Sequence, residues 1–161
     1  MKETDFKIYY TEYAPRIYRV CLGYVNDKHR AEDLLQETFI NVWKGLASFK
    51  QESSLNTWIF RIATNVCLRH LQKESKITIT ELSFQVIEEV TTAVEKTHLF
   101  LYKCIAELEE TDRLIISLEL EGLPQSEIAD IVGLATGNVR VRIHRIKDKL
   151  TKKFKAHGKF D

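Results

Sequence analysis

The chain has 161 residues, of which 44% are hydrophobic and 29% are charged, a composition typical of a globular protein and not of a disordered or fibrous one. Glycine and proline are scarce, at 6 and 2 residues, which favours helices over turn-rich β structure. No apolar run approaches the roughly 18 residues of a membrane span, and the first ten residues are rich in charge, so a cytoplasmic location without membrane insertion is expected. The three scattered cysteines indicate neither a disulfide framework nor a zinc site, and we expect no metal or other cofactor.

The net charge of +1 hides an uneven distribution of charge along the chain. Residues 1–73 carry +3, residues 74–123 carry −7, and residues 124–161 carry +5. A basic terminal segment is typical of a nucleic-acid contact, but a solvated basic helix has the same composition. The charge pattern alone leaves both interpretations open.

Apolar residues recur every three to four positions in the first part of the chain, which predicts amphipathic helices. The first helix runs from Phe6 to Tyr24, and Pro15 inside it either kinks this helix or starts a second one. Another helix runs from Ala31 to Leu46, followed by a polar loop from Ser48 to Asn56.

The next predicted helix begins after Ser54, which is expected to cap it, and extends through Lys73. Trp43 and Trp58 lie on the apolar stripes of these helices and are predicted to pack in the core. The opposite side of the helix carries a polar stripe with a spacing of four residues, made of Arg61, Asn65 and Arg69.

Residues 74–95 lose this periodicity and mix β-branched residues with acids, so they are predicted to form a linker. Two further helices are expected next, the second ending near Gly122, and the first with an apolar face made of Val94, Leu101, Ile105 and Leu108. The predicted fold is all-α, with two small helical modules, residues 1–73 and 96–161, joined by this linker.

Residues 123–150 have the spacing of a helix-turn-helix. Ala129 is small enough for a close helix crossing, Gly133 can end the first helix in the left-handed conformation, and Val139 fills the angle between the helices. Thr136 is predicted to cap the second helix. The apolar side of this helix is expected to pack on the module, so that its polar side can enter a major groove. The candidates for DNA contact are Thr136, Asn138, Arg140, Arg142, His144, Arg145 and Lys147.

Three motifs in the first part of the chain resemble the promoter-binding module of bacterial sigma factors. They are YAPRIY at 13–18, AEDLLQETF at 31–39 and TWIFRIATN at 57–65. Together with the helix-turn-helix, they identify the chain as similar to the extracytoplasmic-function (ECF) group. The resemblance covers residues 6–73 and about 98–150.

This resemblance implies that RNA polymerase core is a partner. In the family, a D-L-x-Q-E segment binds the coiled-coil clamp of the largest polymerase subunit, and the matching residues are Asp33, Gln36 and Glu37. Their spacing places all three on one helix face, although a solvated acidic face has the same pattern. The resemblance also implies that residues 108–118 dock on the polymerase flap.

The resemblance further implies a site that captures a flipped base of the minus-ten element. The loop after the second long helix and an asparagine on the next helix form this site in the family, and an unstacked base needs such a stacking surface and polar edge reader. Phe49 is the expected stacking residue, but it also fits the last core position of the preceding helix. The full set implied for minus-ten DNA is Phe49, Lys50, Ser54, Arg61, Asn65, Arg69 and Lys73.

The expected function is that of a sigma factor without catalytic activity, which brings polymerase core to promoters, melts the minus-ten element and reads the minus-thirty-five element as duplex. An anti-sigma partner is implied by the resemblance alone. The acidic middle segment is expected either to contact basic polymerase surface or to mimic DNA. The alternative function is a helix-turn-helix repressor or activator with an N-terminal ligand or dimerisation domain, binding a palindromic duplex by itself.

Overall fold

A computed structural model describes residues 3–74 and 93–157, with the side chains of residues 71–74 outside that description. The described residues form α-helices and one short 3-10 turn, with no strand among them, so the all-α prediction is confirmed. No helix within these ranges is long and apolar enough to cross a membrane. The helices are α1 (Glu3–Val25), α2 (Lys28–Gly45), α3 (Leu55–Glu74), α4 (Ala93–Ala106), α5 (Glu110–Leu120), α6 (Gln125–Val132) and α7 (Thr136–His157).

The chain divides into two compact units, Met1–Leu82 and Ser83–Asp161. The N-terminal unit contains α1 to α3, with the 3-10 turn Leu46–Ser48 after α2, and the C-terminal unit contains α4 to α7. Nearly all of the predicted linker, residues 74–95, lies outside the described residues, and the predicted module boundaries stay predictions.

In the N-terminal unit, α1 is a single helix that continues through Pro15, which decides between the two alternatives for this residue. Proline removes one backbone hydrogen bond, and the burial of the neighbouring Ala14 and Ile17 offsets that loss. Helix α2 begins three residues before the predicted start at Ala31 because Asp27 caps it: the Asp27 carboxylate accepts a hydrogen bond of 3.0 Å from the Arg30 N–H.

The core of this unit forms where α1 and α3 pack on α2. Trp43 does not belong to it: the ring is 51% exposed and meets Phe6 edge-on, with the ring centroids 5.0 Å apart, so its predicted core role is wrong. It lies at the rim of the unit, beside Phe6 in the first turn of α1. The hydrophobic residues of the three helices with no exposed surface are Ile17, Val20, Cys21, Ala31, Val42, Ile59, Phe60, Ala63 and Cys67.

We expect Phe60→Ala to destabilise the N-terminal unit by about 3–5 kcal/mol, because it leaves a cavity where a fully buried ring contacts Tyr13 and Arg16. Both tryptophans of the chain lie in this unit, so their fluorescence during urea unfolding reports on it specifically. Ile40→Ala, at a position 53% exposed on α2, is the control and is expected to change stability by less than about 0.5 kcal/mol. An unchanged unfolding midpoint in Phe60→Ala would contradict this assignment of the core.

All three cysteines are free and buried. The Cys67 thiol donates a long hydrogen bond to the Cys21 sulfur, with the two Sγ atoms 4.0 Å apart between α3 and α1. This hydrogen bond and burial raise the pKa of Cys67 well above its ordinary value, so the thiol stays protonated and acts as an apolar core group.

In the C-terminal unit, the predicted helix-turn-helix is formed by α6 and α7. Gly133 ends α6 in the left-handed conformation at φ +76°, and its N–H donates to the Ala129 carbonyl. Thr136 is the first residue of α7 and does not cap it, since the Val139 N–H donates to the carbonyl of Ala135.

Helix α7 packs on α4, α5 and α6 through one apolar side. Its predicted apolar residues are buried as expected, and they are Val139, Ile143, Ile146 and Leu150. The predicted apolar face of α4 is wrong at Val94, which is 65% exposed in the first turn, ahead of the part of α4 that is buried at Cys104 and Ile105.

Candidate nucleic-acid interface

An open cavity of about 460 Å³ lies in the N-terminal unit, between the end of α2, the loop after it and the exposed side of α3. The loop and the last turn of α2 form one wall, and α3 forms the other. The lining residues are Asn41, Gly45, Ser48, Phe49, Lys50, Glu52, Ser53, Trp58, Arg61, Ile62, Asn65 and Arg69.

Two aromatic rings and the side chain of Ile62 form the apolar part of this cavity. Phe49 and Trp58 are both half-buried, with ring centroids 4.6 Å apart and ring planes tilted by 32°. The predicted core position of Trp58 and the alternative core position of Phe49 are therefore both wrong. Gly45 makes this arrangement possible, because a Cβ atom there would lie 2.9 Å from the Trp58 ring.

The polar stripe of α3 faces the same cavity. Arg61, Asn65 and Arg69 all line it, with Arg61 half-buried and the other two exposed. Their spacing of four residues repeats nearly one helical turn, so three polar groups stand in a row along the opening. This row can offer amide groups to a base edge and cations to phosphates.

Ser54 acts at the start of α3 and is not among the residues that line the cavity. Its hydroxyl accepts a hydrogen bond of 3.1 Å from the Thr57 N–H, as an N-cap does, and donates one of 2.9 Å to the Thr57 hydroxyl. It lines a neighbouring depression with Tyr9, Gln51 and Leu55.

The structure thus brings together five of the seven residues assigned to minus-ten DNA: Phe49, Lys50, Arg61, Asn65 and Arg69. Ser54 lines the neighbouring depression instead, and the side chain of Lys73 is outside the described residues. Asn41 also lines the cavity and was not predicted as a site residue, and Trp58 lines it although it was predicted in the core. Asn41 lies one turn after Glu37 in α2, and this spacing was the available signal.

Helix α1 holds the start of α3, next to the loop. The Arg16 guanidinium donates a hydrogen bond of 3.1 Å to the side-chain oxygen of Asn56 and lies 4.9 Å from the centroid of the Phe60 ring. The loop itself turns at Gln51, whose backbone is left-handed at φ +58°. The cavity wall is therefore anchored to the core at the α3 end of the loop.

The residues assigned to polymerase binding lie on the exposed side of α2. Asp33, Gln36 and Glu37 are all exposed and share one face of the helix. Their face continues to Ile40, which is also exposed.

The seven residues assigned to minus-thirty-five DNA all lie on α7, but their environments differ. Thr136, Asn138, Arg140, His144 and Arg145 are exposed. Arg142 is held by α5, with Nη1 3.0 Å from Asp112 Oδ1, and its Nε donates to Asn138 Oδ1 at 3.2 Å. Lys147 forms an ion pair of 3.1 Å with Glu119 of the same helix α5.

Comparisons with known proteins match both units. The model for Sigma-70 region 2 matches residues 9–77, and the model for Sigma-70, region 4 matches residues 100–150. The ECF RNA polymerase sigma factor SigW of Bacillus subtilis is 28% identical over an alignment of length 160 residues, and the alignment covers 89% of this chain and 85% of SigW. The ECF RNA polymerase sigma-E factor of Escherichia coli is 30% identical over 137 residues, covering 75% and 72% of the two chains. The chain belongs to the ECF group of sigma factors.

The fold of this sigma factor also matches solved structures. The sigma factor RpoE of Bartonella quintana, solved in complex with the anti-sigma factor NepR, has a TM-score of 0.73 at 23% identity, over 94% of this chain and 97% of that one. CnrH in complex with the cytosolic domain of CnrY gives 0.73 at 21% identity, over 96% and 90%.

As a sigma factor, the chain is a transcription initiation factor that binds RNA polymerase core and directs it to promoters. This finding decides against the repressor alternative. The region 2 match contains the cavity and the acidic face of α2, and the region 4 match contains the helix-turn-helix.

Proposed function

We propose that region 2 of this sigma factor melts the minus-ten element by capturing one unpaired base in the cavity between the loop and α3. The observation that supports this most directly is the convergence of an aromatic pair, Phe49 and Trp58, with the Asn65 amide around one opening of sufficient size. A base that leaves the duplex loses its stacking and its Watson–Crick hydrogen bonds. Stacking on an aromatic ring and hydrogen bonding of the Watson–Crick edge to the protein replace these two interactions.

The cations around the cavity are proposed to hold the displaced strand by its phosphates. Lys50 and Arg69 are exposed at the opening, and Arg61 is half-buried beside it. Such contacts are independent of sequence and weaken as the salt concentration rises. Binding energy then opens the duplex, and this sigma factor needs no catalytic activity of its own.

The face of α2 with Asp33, Gln36 and Glu37 is proposed to bind the polymerase clamp. The three side chains are exposed, so they are available to a partner without any rearrangement of the core. The start of region 4, residues 108–118, is proposed to contact the flap.

Helix α7 is proposed to read the minus-thirty-five element in the major groove. Arg140 and Arg145 are exposed and have no ion pair with another described residue, while Arg142 and Lys147 are held by α5. Arginine pairs bidentately with guanine, so the first two are the better candidates for base contact.

Arg145→Ala is therefore expected to weaken binding of the minus-thirty-five element about tenfold or more and to relax specificity at the base pair that Arg145 contacts. Arg142→Ala is expected to act mainly on stability, by roughly 0.5–2 kcal/mol, because Arg142 is 28% exposed and its partner Asp112 16% exposed. Both variants are compared by titrating labelled promoter duplex with holoenzyme at several salt concentrations. Equal losses of DNA affinity in the two variants would contradict this division.

An anti-sigma factor is proposed as a further partner. Two proteins of the same fold support this proposal. RpoE was solved with the anti-sigma factor NepR, and CnrH was solved with the cytosolic domain of CnrY. Such an inhibitor is expected to compete with polymerase core for the sigma factor. We further propose that the sigma factor acts in the cytoplasm, where the polymerase is found.

Fluorescence of 2-aminopurine tests base capture. The analogue is placed at successive positions of the minus-ten element in a promoter that holoenzyme has selected from a randomised duplex library. Capture predicts that one position departs from its neighbours, because a base stacked on the Phe49–Trp58 pair differs in quenching from one that is merely unpaired. A uniform change along the element would contradict capture.

A further inference from the structure

The outward face of α7 carries one aliphatic side chain among polar and charged ones. Val141 is 48% exposed, and its position in the helix places it nearly opposite the buried stripe that holds α7 on the unit. Its neighbours on this face are Gly137 and Asn138 one turn before it and His144 and Arg145 one turn after it, all exposed. A single exposed valine is ordinary on a protein surface, so its exposure alone does not indicate a function. Two further features of α7 do.

The first of these observations is that two cations at the edges of the face, Arg142 and Lys147, are already occupied. Arg142 is bound to Asp112, and Lys147 to Glu119, so both point toward α5. Farther along α7, Lys153 pairs with Glu107. The part of the helix that remains for a groove is therefore centred on Val141.

The second observation is Gly137, one turn before Val141 in the first turn of α7. A Cβ atom at Gly137 would meet no atom within 4 Å, and its backbone is not left-handed, so the fold does not require glycine there. Glycine also lowers helix stability relative to alanine. The missing side chain leaves a notch next to Val141, where a groove can approach the helix closely.

From this geometry we propose that Val141 determines specificity by contacting the C5 methyl group of a thymine in the minus-thirty-five element. In the major groove a thymine presents this methyl group, whereas a cytosine has only a hydrogen at C5 and presents an amino donor on C4 that valine cannot pair. The inference rests on the proposed role of α7 and adds a residue that selects a base through apolar contact.

The test removes the methyl group alone. Holoenzyme made from the full chain and polymerase core first selects promoters from a randomised duplex library. Each thymine of the enriched minus-thirty-five element is then replaced singly by uracil, and affinities are measured for wild type, Val141→Ala and a matched control, Val94→Ala. Both substitutions are at exposed helical valines of the same unit, and alanine favours the helix, so folding is preserved and is checked by circular dichroism.

At one thymine position, uracil is expected to weaken DNA binding by wild type and by Val94→Ala about fourfold, because the favourable burial of one methyl group is lost. The same replacement is expected to leave the DNA affinity of Val141→Ala unaffected. Uracil tolerated by wild type at every position, a penalty that persists in Val141→Ala, or an enriched element without thymine would each overturn the inference. If no minus-thirty-five element is enriched at all, the proposed role of α7 fails, and this result is distinct from the other three.

Discussion

The triple variant Asp33→Ala, Gln36→Ala, Glu37→Ala is expected to bind RNA polymerase core at least about 100-fold more weakly than wild type. The reason is that a few side chains usually supply most of the binding energy of an interface, and these three form a contiguous exposed face on α2. Affinity for sigma-free core is measured directly by titration with a labelled sigma factor, and co-elution in size-exclusion chromatography provides an independent readout.

The matched control is the double variant Glu3→Ala, Glu12→Ala, which removes exposed acidic side chains from α1 of the same unit. It is expected to bind core as wild type does, and all variants are expected to unfold at the same urea concentration because no buried group changes. Unchanged core binding by the triple variant would show that the polymerase contact lies elsewhere.

Asn65→Ala is expected to slow the formation of the open promoter complex about 10- to 100-fold without changing the affinity for core. Asn65 is exposed at the cavity opening, so its loss removes the polar edge reader and leaves the core of region 2 intact. Open complexes are followed by the permanganate reactivity of unpaired thymines in the minus-ten element.

Two further variants make this experiment specific. Asn65→Leu keeps a branched side chain of similar size and removes both the donor and the acceptor without adding charge, so it separates hydrogen bonding from packing. Lys44→Ala changes an exposed residue of α2 that is not among those lining the cavity, and it is expected to behave as wild type. Wild-type rates in Asn65→Ala would exclude the cavity as the base-capture site.

Helical periodicity predicted much of the architecture, because the period of apolar residues directly encodes which side of a helix is buried. It identified α7 through Val139, Ile143 and Ile146, all of which are buried. It failed for Trp43 and Trp58, since periodicity gives the direction of a side chain but not how far the neighbouring helix extends to cover it.

The site residues were predicted from motifs, and their environments depend on distant residues. The row on α3 follows from a spacing of four along one helix, which is a local property. The engagement of Arg142 by Asp112, by contrast, joins residues 30 positions apart in two helices and has no local signal. Only the structure therefore distinguishes the cations of α7 that are ion-paired with α5 from those that are available to contact DNA.

The most direct test of the account is to sequence the 5′ ends of transcripts made by polymerase core from a randomised duplex library, with and without this sigma factor. We predict that the sigma factor produces transcripts that start at a fixed distance downstream of a two-part element, with weaker selection of its upstream part in Arg145→Ala and markedly fewer transcripts in Asn65→Ala. Start sites independent of the sigma factor, or unaltered by either variant, would contradict the account.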